Sequence, residues 1–527
     1  MNFLSMNHRR ENFFFVTLCA IAAVFPFSEA LLSIFIGVLL LQTIILRSWK
    51  HPDRKERNAT DLLFILSIFG VYLVGMLFSK DLALAVYELK KVIFWLVVPL
   101  AFYLSPTLNE KRIRQVLWIF IISVFAASLL FTVRFVLARF PGSHELRLLG
   151  IISNIRFSFQ VGLSIIILAW FLFSKNEWYT TKVRRIMAVL LVWLISFLFI
   201  LQSLLGLITF FATVSVAFIY GLFSLKQTGK RVALLLLLFV FIAIPVVFVY
   251  QVVRDFYHFE NLTPETVEHF TPSGNKYLHD FEVGARENGH LVYVYICHDE
   301  LRQEWNKRSD ILYDDLLGDY PLSITLIRYL ASMGYRKDSA AISRLSDEDI
   351  NRIRNGVTNY KFHDHLISVY PRIYETVWEL DNYFRTGNPN NKSLAQRIEY
   401  IKASLLLIGK KPLFGIGTGN WRIKYNEAYA EMNSSLREDL RASSHNQYLN
   451  YLVKFGIAGF LYILTAVLIP VFRTNNQRNL IFVFFLVFMG FANFGDSNLE
   501  SHMGLTFFSF FYSFFLWNSA DYMKHPD

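Results

Sequence analysis

Long apolar blocks separated by short polar breaks run through most of the chain, and their spacing predicts twelve membrane-crossing helices. The blocks fall at about 13–28, 31–46, 62–78, 86–104, 115–137, 157–174, 186–201, 204–224, 232–250, 455–472, 479–494 and 503–517. Runs of roughly 17 to 25 apolar residues match the length a helix needs to cross a bilayer core. The runs are continuous rather than alternating, so they read as helices and not as barrel strands. The first follows His8-Arg9-Arg10 as a signal peptide would, but a second block comes almost at once with no small-residue cleavage site between them. It is therefore read as a true transmembrane helix.

Between the ninth and tenth blocks lies a polar segment, 251–447, too long for a passive connection. Its aromatic stretch "HLVYVYICHDELRQEW" (290–305) and the helical "TLIRYLASMGYRKD" (325–338) predict a folded, mostly helical domain. After the turn-rich "RTGNPNNKS" (385–393) comes "SLAQRIEYIKASLLLIGKKPLFGIGTGNW" (393–421). Ser393 to Gln396 fits a capping box, and Leu394, Ile398, Ile401, Leu405 and Ile408 form the stripe of an amphipathic helix over about 393–409, lying in the interface. "GKKP" ends it, and Gly415, Gly417 and Gly419 allow a tight turn or close approach to a ligand. A second capping box, Ser444 to Gln447, opens the tenth span within "RASSHNQYLNYLVKFGIAG" (441–459). The expected organisation is an all-α polytopic membrane protein: about 12 transmembrane helices, nine of them in 1–250, a large loop domain in 251–447, and three more in 448–527.

Composition agrees. Over 527 residues, 54% hydrophobic content and a mean hydropathy of +0.37 exclude an ordinary soluble protein. The net charge of +11 invites a nucleic-acid reading, but its distribution argues against one. The loop segment carries 24 Lys+Arg against 27 Asp+Glu, so the excess lies in alternate short loops: "RSWKHPDRKER" (47–57), "EKRIR" (110–114), "KNEWYTTKVRR" (175–185) and "KQTGKR" (226–231). The intervening loops hold little beyond Lys80, Arg139, Arg147 and Arg156. This is the positive-inside pattern, with both termini cytoplasmic and the large loop on the far side. Cys19 and Cys297 fall on different levels of that topology and form no disulfide framework. There is no zinc-spaced Cys/His cluster, Walker loop or G-x-S-x-G elbow, and His363-Asp364-His365 could bind a metal only if further ligands converge on it. Chemistry must come from His, Arg, Asn or carboxylates at the outer face, with no metal or cofactor.

The block G-x-x-P-x-x-G-x-G-x-G (409–419), the later "SHNQYL" and the Gly-rich helix start "FGIAGFLY" resemble the O-antigen ligase and polymerase superfamily, as do the order of spans and the one large loop before the third-last span. "ISNIRFSFQ" (152–160) and 287–309 look like the branch found in Bacteroidetes-type bacteria. The resemblance implies a metal-independent glycosyltransferase of the inner membrane, active on its periplasmic face. Its partners would be an undecaprenyl-pyrophosphate-linked glycan donor, a lipid A-core or other glycan acceptor, and membrane lipids. Ligase and polymerase differ only in acceptor; a lipid-linked glycan transporter is the rival class, and would be expected to carry charge along the midplane of several spans.

Such a transfer needs a base, cations for the leaving pyrophosphate and a groove for the lipid tail. His445 is the base, because imidazole titrates near neutrality and a helix N-terminus disfavours a second positive charge. Asn446 beside it offers an amide donor. Arg397 matches the arginine that the family places on the loop helix, and its planar fork suits phosphate. Relatives carry a further Ser-Arg-Gly arginine before the eighth span, where this chain reads Gln202-Ser203-Leu204-Leu205-Gly206. Arg156, at the mouth of the sixth span, is the natural substitute, and Arg134 a weaker one. Asn446, Arg441, Gly417 and Gly419 are auxiliary candidates, and Lys424, like Arg441, is a loop charge that would add only to the outer potential.

Overall fold

The computed structural model describes residues 3–51, 57–137, 149–174, 179–259, 262–318, 320–362 and 368–518. Each apolar block lies on helix, because in hydrocarbon a backbone must satisfy its own hydrogen bonds. In chain order these are α1 (Phe3–Val24), α2 (Glu29–Ile45), α3 (Ala59–Leu77), α4 (Leu82–Lys91), α5 (Phe94–Leu104), α6 (Glu110–Leu137), α7 (Asn154–Phe173), α8 (Thr181–Ile200), α9 (Leu204–Ser224) and α10 (Thr228–Tyr257). The polar segment supplies α11 (His298–Arg308), α12 (Leu322–Ser332), α13 (Ser339–Arg344), α14 (Asp347–Arg354), α15 (Tyr370–Thr386), α16 (Ser393–Lys410) and α17 (Trp421–Glu431). The chain then closes with α18 (Gln447–Arg473), α19 (Leu480–Gly495) and α20 (His502–Trp517). Among the described residues, seven helices are long and apolar enough to cross a membrane: α3, α6, α7, α8, α9, α10 and α18. The protein is an all-α, multi-pass membrane protein.

Two elements differ from the sequence pattern. The block 86–104 is not one helix but two, α4 and α5, which part at Val92 just after the polar Glu88, Lys90 and Lys91. Helix α18 begins eight residues before the expected 455 and is broken at Gly456, whose φ of 64° and ψ of −171° lie outside helical space.

The chain divides into two units. One comprises Met1–Arg134, Arg147–Leu235 and Asn382–Asp527; the other comprises Phe135–Leu146 and Leu236–Asp381. The expected 251–447 domain is thus divided, its last third folding with the spans. In the first unit, Phe25, Phe120, Phe485 and the rings of α20 meet edge to face, and α20 is buried from Met503 to Trp517. The Phe-rich segment therefore packs helices rather than lipid. The second unit has its own core of Leu301, Trp305, Tyr313, Leu326, Tyr329, Leu330, Ile342 and Ile353, with two short hairpins beside its helices.

Candidate active site

The site is built at the start of α18. Asn446 is the N-cap: its side-chain oxygen accepts from the backbone N–H of Tyr448 (3.0 Å) and Leu449 (3.1 Å). The expected Ser444–Gln447 capping box is absent. Ser444 instead accepts from Asn446 N (3.2 Å) and donates to Asn450 (2.9 Å), and the Gln447 side-chain oxygen takes the N–H of Leu499 (2.8 Å). At α16 the N-cap is Lys392, whose side chain does not cap the helix, so Ser393 is not the cap and the Ser393–Gln396 box does not form either. At the start of α18 it is a tertiary partner, the Leu499 N–H, that draws Gln447 away from the local pairing.

His445, one residue before the cap, adopts a left-handed φ of 45°. That conformation is costly for a residue with a Cβ and is sustained only by surrounding structure. Its ring stacks on Tyr400 of α16 (centroids 5.5 Å apart, planes at 30°), and Tyr400 is itself fixed by donating to the Leu440 carbonyl (2.8 Å). Nδ1 lies 3.3 Å from the Oδ1 of Asp496, and 43% of the side chain remains exposed.

Asp496 follows the last residue of α19 and is the hub. Its Oδ2 receives Arg156 from the first turn of α7, and the same nitrogen of Arg156 reaches the Asn498 side-chain oxygen (3.0 Å). Its Oδ1 also takes the N–H of Ser497 (2.8 Å). Arg397 donates to the carbonyl of Gly495, one of the orphan carbonyls at the C-terminus of α19, where a cation is favoured. Burial pushes the Asp496 carboxyl up. The hydrogen bond from His445 and the charge and hydrogen bond of Arg156 outweigh it, and the group is held well below the ordinary carboxylate range. Three predicted residues distant in sequence, Arg156, Arg397 and His445, are therefore brought together on residues 495–498. One expectation changes: the Asp496 carboxylate offsets Arg156.

Asn446 is mostly committed, its oxygen to the cap and its amide to the Phe494 carbonyl (3.0 Å). Arg441 turns to the Leu436 carbonyl (3.4 Å) and the Tyr429 ring, Arg134 to the Leu149 carbonyl (3.1 Å), and Lys424 to Glu427 (2.7 Å). Gly417 and Gly419 do not reach the cluster. A Cβ on Gly417 would lie 2.9 Å from the Gly75 carbonyl and one on Gly419 2.4 Å from that of Asp81, so the loop's close approaches are to its own protein. His363, Asp364 and His365 lie outside the described residues.

Sequence reasoning missed Asp496, Asn498 and Tyr400. A signal existed in "NFGDSNLESH" (493–502), a polar run set between two Phe-rich helices, where a carboxylate in so apolar a setting demands partners. That run is held by one face of α18. Gln447, Asn450 and Lys454, three and four residues apart, bind the Leu499 N–H, the Ser497 hydroxyl (2.6 Å) and Glu500 (2.6 Å). Lys454 also pairs Glu88 (2.8 Å), Glu88 pairs Lys91 (2.8 Å), and Glu500 accepts from Tyr72 (2.8 Å). Two lysines and two glutamates thus balance, as buried charge requires.

Residues 346–464 match a family described as O-antigen ligase, a stretch that contains Arg397, Tyr400, Arg441 and His445 but not Arg156 or Asp496. No curated protein matches the chain.

Proposed function

We propose, from the premise that this chain belongs through residues 346–464 to the O-antigen ligase and polymerase superfamily, that it transfers a glycan from undecaprenyl pyrophosphate to a sugar hydroxyl of lipid A-core. His445 accepts the proton of the attacking hydroxyl at Nε2. The new bond forms at the anomeric carbon as the bond to the pyrophosphate oxygen breaks, with inversion, and undecaprenyl pyrophosphate departs. Arg397 holds the departing phosphate charge, with Arg156 contributing while it anchors Asp496. Cations that grip charge developing on the leaving oxygen stabilise the transition state more than the ground state.

The observation that carries this reading is the contact between His445 Nδ1 and Asp496 Oδ1. A carboxylate only accepts hydrogen bonds, so Nδ1 holds the hydrogen and the neutral ring keeps its lone pair on Nε2. The reaction is placed at the periplasmic face of the inner membrane, with both termini cytoplasmic and about twelve spans, on the charge pattern of the loops.

The test is purified protein, carrier-linked donor and acceptor, without ATP. Transfer should occur and should vanish in His445→Ala with protein yield unchanged; full transfer in that variant removes His445 from the mechanism. A deletion strain separates acceptors: long glycan accumulating on the carrier marks a ligase, and single repeats still reaching the core mark a polymerase.

A further inference from the structure

Helix α18 is two helices in the membrane sense. Gly456 breaks it, and 457–473 alone supplies about 25 Å of rise, close to a bilayer core. A break exposes backbone groups that hydrocarbon does not tolerate. Here the loop after α16 supplies partners on both sides of the break: Pro412 and Leu413 carbonyls take the N–H groups of Ile457 (2.8 Å) and Ala458 (3.1 Å), while the N–H groups of Ile416 and Gly417 bind the carbonyls of Val453 and Lys454 (2.9 Å each). Gly415 and Gly456 make this possible, since a Cβ on either would fall within 2.5 Å of the opposing backbone.

The tip of that loop is consequently fixed at the level where the spanning half of α18 begins. Its apolar side chains face outward: Leu413 is 60% exposed and Phe414 79%. The same loop is tied to the end of α3, where Thr418 binds the carbonyls of Gly75 (3.1 Å) and Tyr72 (2.8 Å). There Leu77 is 81% and Phe78 73% exposed, continuous with the exposed Leu73 and Val74 of the span. Exposed Lys80 and Lys411 flank the two apolar pairs.

We infer that Leu77, Phe78, Leu413 and Phe414 form a wedge inserted into the phospholipid leaflet on the site side of the membrane, with Lys80 and Lys411 at the level of its phosphates. Four large apolar side chains on a rigid support, bordered by cations on long apolar stems, suit the boundary between acyl chains and headgroups. The wedge fixes the height of α16, which leads from Arg397 into the tip, and so sets the distance of the site from the hydrocarbon. The inference rests on the membrane reading alone and not on the transfer chemistry.

The test uses the full chain with Cys19→Ser and Cys297→Ser, nitroxide-labelled singly after Leu77→Cys, Phe414→Cys, Val74→Cys or Glu427→Cys, in phosphatidylethanolamine/phosphatidylglycerol nanodiscs. Power saturation compares collision with oxygen, which concentrates in acyl chains, against a water-soluble nickel chelate. Positions 77 and 414 should shift toward oxygen as the span position 74 does, and position 427 toward nickel. Nickel preference at 77 and 414 with oxygen preference at 74 overturns the wedge and leaves the span intact; nickel preference at 74 as well overturns the membrane reading itself.

Discussion

The Nδ1 of His445 meets the Oδ1 of Asp496, 51 residues further along the chain, at 3.3 Å. The contact orients an imidazole that stands at a strained backbone position and whose side chain stays 43% exposed. In Asp496→Asn, an amide can donate to Nδ1 and favour the wrong tautomer, while the ion pair with Arg156 is lost. Transfer is expected to fall about 100-fold or more, as for removal of general-base function. In single-turnover measurements the loss should appear in the rate of transfer rather than in the donor concentration needed for half saturation.

The two arginines should separate kinetically. Arg397→Lys keeps the charge and loses the planar fork on the donor's phosphate, so kcat should fall and the KM for the donor should rise as well, with the His445–Asp496 contact untouched. Arg156→Lys cannot hold Asp496 and Asn498 in the same way, so kcat should fall. Identical kinetic signatures for the two variants would remove the distinction drawn here.

Asp496 gives the cluster a defined acid limit. Its folded-state pKa is depressed, so its contribution to stability is fully present above the ordinary carboxylate pKa of about 3.9 and is lost as pH falls toward its lower folded value. The difference in thermal unfolding between the native protein and Asp496→Asn should be constant from about pH 5 to 8 as far as this group is concerned, and should shrink below about pH 4. A difference that instead grows on acidification would contradict the assigned direction.

Lys454 holds the loop that carries Asp496. Lys454→Met leaves Glu88 and Glu500 buried without their shared cation and should cost about 3–5 kcal/mol. Adding Glu88→Gln and Glu500→Gln removes the uncompensated charge and should recover a large part of that loss. Thermal unfolding in detergent distinguishes this from a packing defect, which the triple variant would not repair.

Gly456→Ala would force a Cβ to 2.2 Å from the Leu413 carbonyl carbon, at a φ of 64°. The backbone strain alone is of order 1–3 kcal/mol, and the clash opens the pairing between loop and helix break. Yield of folded protein should drop sharply. Gly37→Ala, in α2, meets nothing within 4 Å and serves as the neutral control.

Hydrophobic patterning by itself determined that this chain is helical and crosses a membrane, because apolar runs of that length have few other solutions. It located the helices of membrane length, while the motifs and the family resemblance, not the patterning, singled out His445, Arg397 and Arg156. It placed α4 and α5 in one span and chose serines as caps, since a local pattern does not reveal which distant group takes a hydroxyl or where a polar Glu88 finds its lysine. Only tertiary structure decided that Asp496 is the hub, that Arg156 is paired with it, and that Gly415 and Gly456 let the loop after α16 close on a helix break. Those outcomes depend on groups tens to hundreds of residues apart sharing one small polar volume, where burial makes an unpaired charge or backbone group too costly to leave unmet.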